Sequence, residues 1–190
     1  MAHLARTRGA FYGSIDTPEG LRHAVDAVCD PSTCRDIILL HGDHRRIRLM
    51  VNLIAQLNSL SIDSILVLGF DTATCDSLKR GGRIGCVTSN YLMSGATAQH
   101  ILARKLPHRF VVWLQRFRLL RRLSFELPRS LSVLALDTDL AIRENPYTTL
   151  RSPTFQRFHM LTTFDFKGGF ANANIGFIYL RNATRGGPVP

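Results

Sequence analysis

What this sequence lacks excludes several classes of protein. No window approaches the roughly 18 continuous apolar residues that a membrane-spanning helix needs, and the first residues, MAHLARTRGAFYGS, lack the apolar core of a signal peptide. As written, the 190 residues contain no membrane span. Acidic residues are scarce, 14 against 24 Lys and Arg, giving a formal charge of +10. Such a field attracts nucleic acid, acidic membranes or phosphorylated small molecules. No aromatic RNA-recognition pair, zinc-finger spacing or basic heptad region accompanies the charge, so no nucleic-acid partner is expected. The segment RGGRIG has neither the spacing nor the strand context of a dinucleotide-binding glycine fingerprint. Cysteines are few, and none lies in a C-x-x-C pair of the kind that holds zinc. Cys86 in RIGCV reads as a buried free thiol on a strand. Cys29 and Cys34 flank a proline-containing turn and could pair in an oxidising compartment. Repeats and low-complexity linkers are absent. With 45% hydrophobic residues the chain can bury one sizeable core.

What is present alternates between apolar runs and amphipathic stretches. TPEGLRHAVDAVC opens on Thr17 as a helix N-cap with Pro18 in the first turn, and Leu21, Val25 and Val28 recur at helical spacing. DIILLH, Asp36 to His41, and SILVLGF, Ser64 to Phe70, are continuous apolar runs, the mark of strands covered on both faces. Between them Arg46 to Leu60 reads as a helix carrying Ile47, Met50, Ile54 and Leu57 on one side. A short helix near Thr72 to Lys79 and a strand IGCV follow. Further helices are expected around Gly95 to Lys105 and Phe110 to Leu127, then strands at Ser130 to Leu136, FHMLTTFDF and IGFIYLR. The pitch predicts an α/β fold with a mostly parallel sheet flanked by helices. The organisation expected is a helical lead-in over residues 1–35 and a main domain over 36–190.

The stretch VLALDTDLAIRENPY ends a buried strand in two aspartates one residue apart. Alternating side chains put Asp137 and Asp139 on one side of the backbone. Two close carboxylates repel unless a cation sits between them, one is protonated, or both are well solvated. Carboxylate oxygens suit hard cations such as Mg2+ or Mn2+, which bridge to substrate phosphates. The plainer alternative is a solvated loop with two incidental aspartates. In open α/β sheets ligands bind beyond the carboxyl ends of strands, which is where this pair falls, flanked by the strands beginning at Asp36 and Ser64.

VLALDTDLAIRENPY, then TTFDF, then NANIGFIYLRN, together resemble the nucleotide-diphospho-sugar transferase domain of plant and algal arabinosyl- and xylosyltransferases, glycosyltransferase family 77. The likeness runs from about Asp36 onward and includes DIILLH, RLMVNLIAQLNSLSI and SILVLGFD. It implies a GT-A fold, a Rossmann-like sheet holding a nucleotide sugar, and makes 36–190 a transferase domain. Asp137 and Asp139 would be the metal ligands, with Mn2+ or Mg2+ as cofactor. Asn174 and Gly176 match the Asn-x-Gly of the donor site, and Asp165 matches an acidic, catalytic position before it. Their structural alternatives are a loop cap for Asn174, close backbone approach at Gly176 and an exposed turn for Asp165. The donor would be a nucleotide diphosphate sugar, a pentose by resemblance, and the acceptor a glycan or glycoprotein. Relatives of this kind are anchored Golgi enzymes, so a Golgi lumenal location is implied for a chain whose anchor is absent and whose end in RGGPVP reads as a truncation.

Three further features stand beside these. The helix WLQRFRLLRRLSFEL carries Arg116, Arg118, Arg121 and Arg122 around a Phe117, Leu120 and Leu123 face. Arg116 could reach a diphosphate bidentately, whereas a solvated helix face is expected for most of the others. HGDH, His41 to His44, reads as a polar loop touching the nucleotide rather than as a metal cluster, and Asn182-Ala183-Thr184 is a glycosylation triplet. Two rivals remain at this level. One is a catalytically incomplete fragment that only binds nucleotide sugar. The other is a haloacid-dehalogenase-like phosphatase, which also places D-x-D after a strand but follows it with a small hydroxylated or β-branched residue where this chain has Ala141. If the aspartates serve a metal site, changing either to Asn should remove ligand binding and leave stability unchanged.

Overall fold

The computed structural model describes residues 10–81, 84–90, 108–164 and 173–183. Their centre is one seven-stranded sheet. In sheet order the strands are β1 (Tyr12–Ser14), β4 (Gly85–Thr88), β3 (Ile65–Gly69), β2 (Asp36–Gly42), β5 (Leu131–Leu136), β7 (Ala173–Ala183) and β6 (Met160–Phe164). The pairings from β1 through β5 are parallel, while β7 runs antiparallel to both β5 and β6.

The apolar runs are continuous because helices cover both faces. Successive residues of β2 point to opposite sides, so Ile37 and Leu39 join one core and Ile38 and Leu40 the other. On the first face lie α1 (Pro18–Val28) and α4 (His108–Phe125), which contribute Leu21, Val25, Leu119 and Leu123. On the second lie α2 (Ile47–Ser59) and α5 (Pro146–Leu150), with Met50, Leu53, Ile54, Leu57 and Leu150. Each such burial contributes about 1.5–3 kcal/mol relative to exposure. The described elements before Asp36 belong to this body: β1 is the edge strand beside β4, and α1 packs in the same core as Ile37.

Local signals explain the element starts. Thr17 caps α1 by accepting the Gly20 N–H at 3.0 Å. Asn145 does the same for α5, accepting the Tyr147 N–H at 3.0 Å with Pro146 in the first turn. That short helix and β1 are additions to the elements expected from periodicity. The helix expected over Gly95 to Lys105 lies outside the described residues.

One expectation is overturned. Cys86 is not a free thiol but is bonded to Cys75 on α3 (Thr72–Gly81), and Cys29 is bonded to Cys34. The α3–β4 disulfide packs under Gly69, where an added Cβ would lie 2.8 Å from the Cys75 sulfur. Burial alone made Cys86 look like a strand thiol. The first turn of α3, folding back from β3, brings Cys75 over it.

Candidate active site

The carboxyl ends of β2, β3 and β5 open on a cleft of about 550 Å3. Its walls are His41 to Asp43 at the end of β2, Arg45 and Arg46 on the 3-10 turn leading into α2, Phe70 after β3, Trp113 on α4, and Asp137 to Asp139 after β5. The strand β5 stops at Leu136, so the two aspartates occupy the turn beyond it rather than the strand itself. The Asp137 N–H makes a last ladder bond to the Gly176 carbonyl at 2.8 Å. Thr138 between them is buried, and both aspartates line the one cleft. The strand flanking β5 on one side is β2, as expected; β7 is on the other, and β3 lies one place beyond β2.

Asp137 is held from the inside. Its Oδ1 is ion-paired with the Arg116 guanidinium, which is fully buried, and lies 3.7 Å from His41 Nε2. The Arg116 Nε–H donates to His41 Nδ1 at 3.2 Å. Burial drives the His41 pKa well below its usual 6.5, and the Arg116 and Arg46 charges push it the same way. The imidazole is therefore neutral and can accept from the arginine. Burial also lowers the Arg116 pKa, opposed by the Asp137 and Asp139 charges; a guanidinium remains charged under such a load.

The solvated helix face expected for most arginines of α4 holds only in part, with Arg121 exposed and Arg118 half-buried. Arg116 and Arg122 are both buried, and Phe117 is 44% exposed. Arg122 is neutralised by a two-pronged pair to Glu126, at 2.7 and 2.6 Å. Buried guanidinium groups persist only with such carboxylates at hand. The sequence places the partners 4 residues away for Arg122 and 21 away for Arg116, so only the first is visible as a helical pair.

Asn174 and Gly176 stand beside Asp137. The Gly176 N–H donates to Asn174 Oδ1 at 2.7 Å. An added Cβ at Gly176 would fall 2.6 Å from Asp137 Oδ2 and 2.9 Å from Asn174 Oδ1, so glycine leaves the room that the Asp137 carboxylate occupies. Asp165 lies outside the described residues. Asp139 meets Arg46 Nη1 at 3.4 Å, with both side chains more than half exposed.

HGDH does not form one cluster. His41 belongs to β2 and is buried, while the His44 N–H donates to Asp71 Oδ2 at 3.1 Å. Asp43 Oδ1 is buried at the cleft without a hydrogen-bond partner. Periodicity did not single out Asp43 or Arg46, while His41 closes the expected strand DIILLH, as in the structure, although the HGDH run it opens also reads as a loop. The usable signal was the polar run GDHRR directly after a buried strand.

Among the described residues no three His, Cys, Asp or Glu side chains converge on a cation position. Two carboxylates suffice for Mg2+ or Mn2+, which complete their shells with water and substrate phosphates. Each aspartate gives one oxygen to an arginine. Asp137 Oδ2 and Asp139 Oδ1 remain as hard donors, which fits such an ion.

No family model and no curated protein sequence matches the chain. Among solved structures it is similar to the galactosyltransferase LgtC, determined in complex with donor and acceptor sugar analogs. That match has a TM-score of 0.50 and 15% identity, over 78% of this chain and 58% of that one. Core-mannan synthase A from Aspergillus fumigatus, in its Mn/GDP form, has a TM-score of 0.38 and 7% identity, over 86% of this chain and 48% of that one. The chain thus spans about 58% of the length of LgtC. The fold is a mostly parallel α/β sheet flanked by helices, matching that of GT-A glycosyltransferases.

Proposed function

We propose that this chain transfers a sugar from a nucleotide diphosphate donor to a glycan or glycoprotein acceptor, with a divalent cation held at Asp137 and Asp139. The observation that carries the reading is the Asp-x-Asp turn at the carboxyl end of β5, opening on a cleft that also presents Arg45 and Arg46. A pentose donor and kinship with glycosyltransferase family 77 rest on the sequence resemblance.

Each residue has a physical task in this scheme. Asp137 and Asp139 offer the oxygen ligands, and Mn2+ or Mg2+ supplies Lewis-acid neutralisation of the charge on the departing diphosphate when bound. Arg116 holds Asp137 in one orientation from beneath rather than touching the donor. Gly176 lets the Asp137 carboxylate sit where a side chain would otherwise be. Asn174 fixes the Gly176 backbone, and Asp165 is the acidic catalytic group implied by the resemblance. The buried Asp43 Oδ1 lacks a donor, and an N–H of the nucleotide base would satisfy it, since an orphaned buried acceptor costs about 1–3 kcal/mol. A Golgi lumenal location agrees with two disulfides, which persist in oxidising compartments.

Calorimetric titration of UDP-sugars with and without Mn2+ tests the reading on wild type, Asp137→Asn and Asp139→Asn. Mn2+-dependent binding should weaken at least about tenfold in both variants, since even a partner of a metal ligand is worth that much. Thermal melts should separate the two. Asp139→Asn removes only an exposed pair and leaves stability within about 1 kcal/mol. Asp137→Asn strips the carboxylate from a buried guanidinium and should cost about 1–3 kcal/mol, against the sequence expectation of no change. Identical, metal-independent curves for all three proteins would overturn the assignment.

A further inference from the structure

Both aspartates of the turn are already paired with cations, but the two pairs differ in kind. The Arg116–Asp137 pair has its arginine wholly buried. The Arg46–Asp139 pair joins side chains that are 59% and 54% exposed, at 3.4 Å. Such an exposed pair is worth only about 0.2–1 kcal/mol and is easily exchanged. Arg46 also sits where a cation is poorly accommodated by the backbone. It occupies the N-cap of α2, where no side chain caps the helix and no acidic residue stands in the first turn. The uncapped end carries positive partial charge. Arg45 adjoins it on the same cleft wall. With Asp137 and Asp139 counted against Arg116 and Arg46, the turn and its partners sum to zero charge, so a bare divalent cation meets little net attraction. The same cation accompanied by a diphosphate brings anionic oxygens for a freed arginine.

We infer that Arg46 is an exchangeable counter-ion, holding Asp139 in the free protein and passing to the donor's diphosphate when Asp139 engages the divalent cation. This rests on the donor site proposed above. Arg46 is thus a diphosphate-binding residue, and its pairing with Asp139 makes cation and diphosphate bind cooperatively. The guanidinium fork suits phosphate oxygens, and the resulting charge-assisted bonds are stronger than the exposed pair they replace.

The consequence is a pair of shifts of opposite sign. Arg46→Gln removes the competitor at Asp139, so Mn2+ alone, followed by electron paramagnetic resonance of the free ion, should bind up to about fivefold tighter. The same variant lacks the diphosphate contact, so UDP or GDP at saturating Mn2+ should bind about tenfold or more weakly by calorimetry. Arg46→Lys, which keeps the charge but loses the fork, should leave the Mn2+ affinity near wild type and recover part of the nucleotide affinity. A merely structural role for this exposed side chain would move both affinities the same way or neither. Either pattern overturns the inference, as does any failure of Arg46→Gln to gain Mn2+ affinity. Absence of UDP and GDP binding to the wild type at saturating Mn2+ would overturn the donor site itself, and the inference with it. Wild-type nucleotide binding that Arg46→Gln leaves unchanged would remove the inference alone.

Discussion

His41 ends the expected strand DIILLH and also opens the polar run HGDH, and physics decides between strand and loop. It follows four apolar residues and precedes Gly-Asp, which looks like the beginning of a polar loop. In the structure it remains in β2, buried against Arg116 and packed edge-on to Phe70 with ring centroids 5.8 Å apart. Its charged form is disfavoured first by burial and then by the Arg116 and Arg46 charges. The sign for stability follows directly. Above about pH 6.5, the unfolded value, the residue is neutral in both states and contributes no slope. Below it the unfolded chain takes up a proton that the folded protein refuses, so stability falls as pH drops towards the depressed folded value. The slope attains at most about 1.4 kcal/mol per pH unit for one such group. Urea unfolding from about pH 7.5 to 5 should therefore show wild type losing stability more steeply than His41→Gln, whose amide oxygen can still accept from Arg116. Parallel pH profiles for the two proteins would mean that His41 is not the buried neutral base described.

Among the elements, strand positions were the most legible part of the sequence. A residue run buried on both faces must be apolar throughout, and β2, β3 and β5 announce themselves in that way. The helices α1, α2 and α4 were also visible, because one face of each must be apolar. Their polar faces were not, since helical spacing cannot distinguish a solvated arginine from one that meets a carboxylate of another element, as Arg116 meets Asp137. Likewise the Asp-x-Asp turn was readable, whereas Asp43 and Arg46 owe their place in the site to the approach of β2 and β5 as sheet neighbours. The cysteines illustrate the same limit: Cys29–Cys34 spans a local turn, but Cys75–Cys86 needs α3 folded over β4. This second bond closes a loop with a sequence separation of 11, which restricts the unfolded chain by about 3 kcal/mol on a chain-entropy account. Changing Cys75 and Cys86 together to Ala should lower the unfolding free energy by that order in non-reducing denaturant melts. A reductant should bring the wild type down towards the double variant, and a double variant as stable as the oxidised wild type would show that the clamp contributes nothing.

For the whole molecule the governing fact is the net charge of +10. The Arg122–Glu126, Arg129–Asp26 and Arg151–Asp36 pairs are each neutral and leave that surplus intact. Exposed Arg45 and Arg46 stand on the wall of the cleft proposed for a diphosphate. The cleft itself mixes Asp43, Asp137 and Asp139 with these arginines, so steering at saturating Mn2+ would come from the bound cation and the surplus positive charge of the whole molecule. Such fields raise the arrival rate of an anionic ligand by about 10- to 1,000-fold, and that effect is screened by salt. Contact bonds at the bottom of the cleft are screened much less, because they act within a few ångströms. Between about 0.01 M and 1 M salt the screening length contracts from about 30 to 3 Å. Stopped-flow measurement of UDP association at saturating Mn2+ should then show the association rate constant falling about tenfold or more across that range, with a smaller change in dissociation. The split between the two constants decides between field and contact. A salt dependence carried wholly by dissociation would mean that ligand capture relies on the individual arginine contacts and that the surplus of positive charge over the rest of the molecule does not steer the donor.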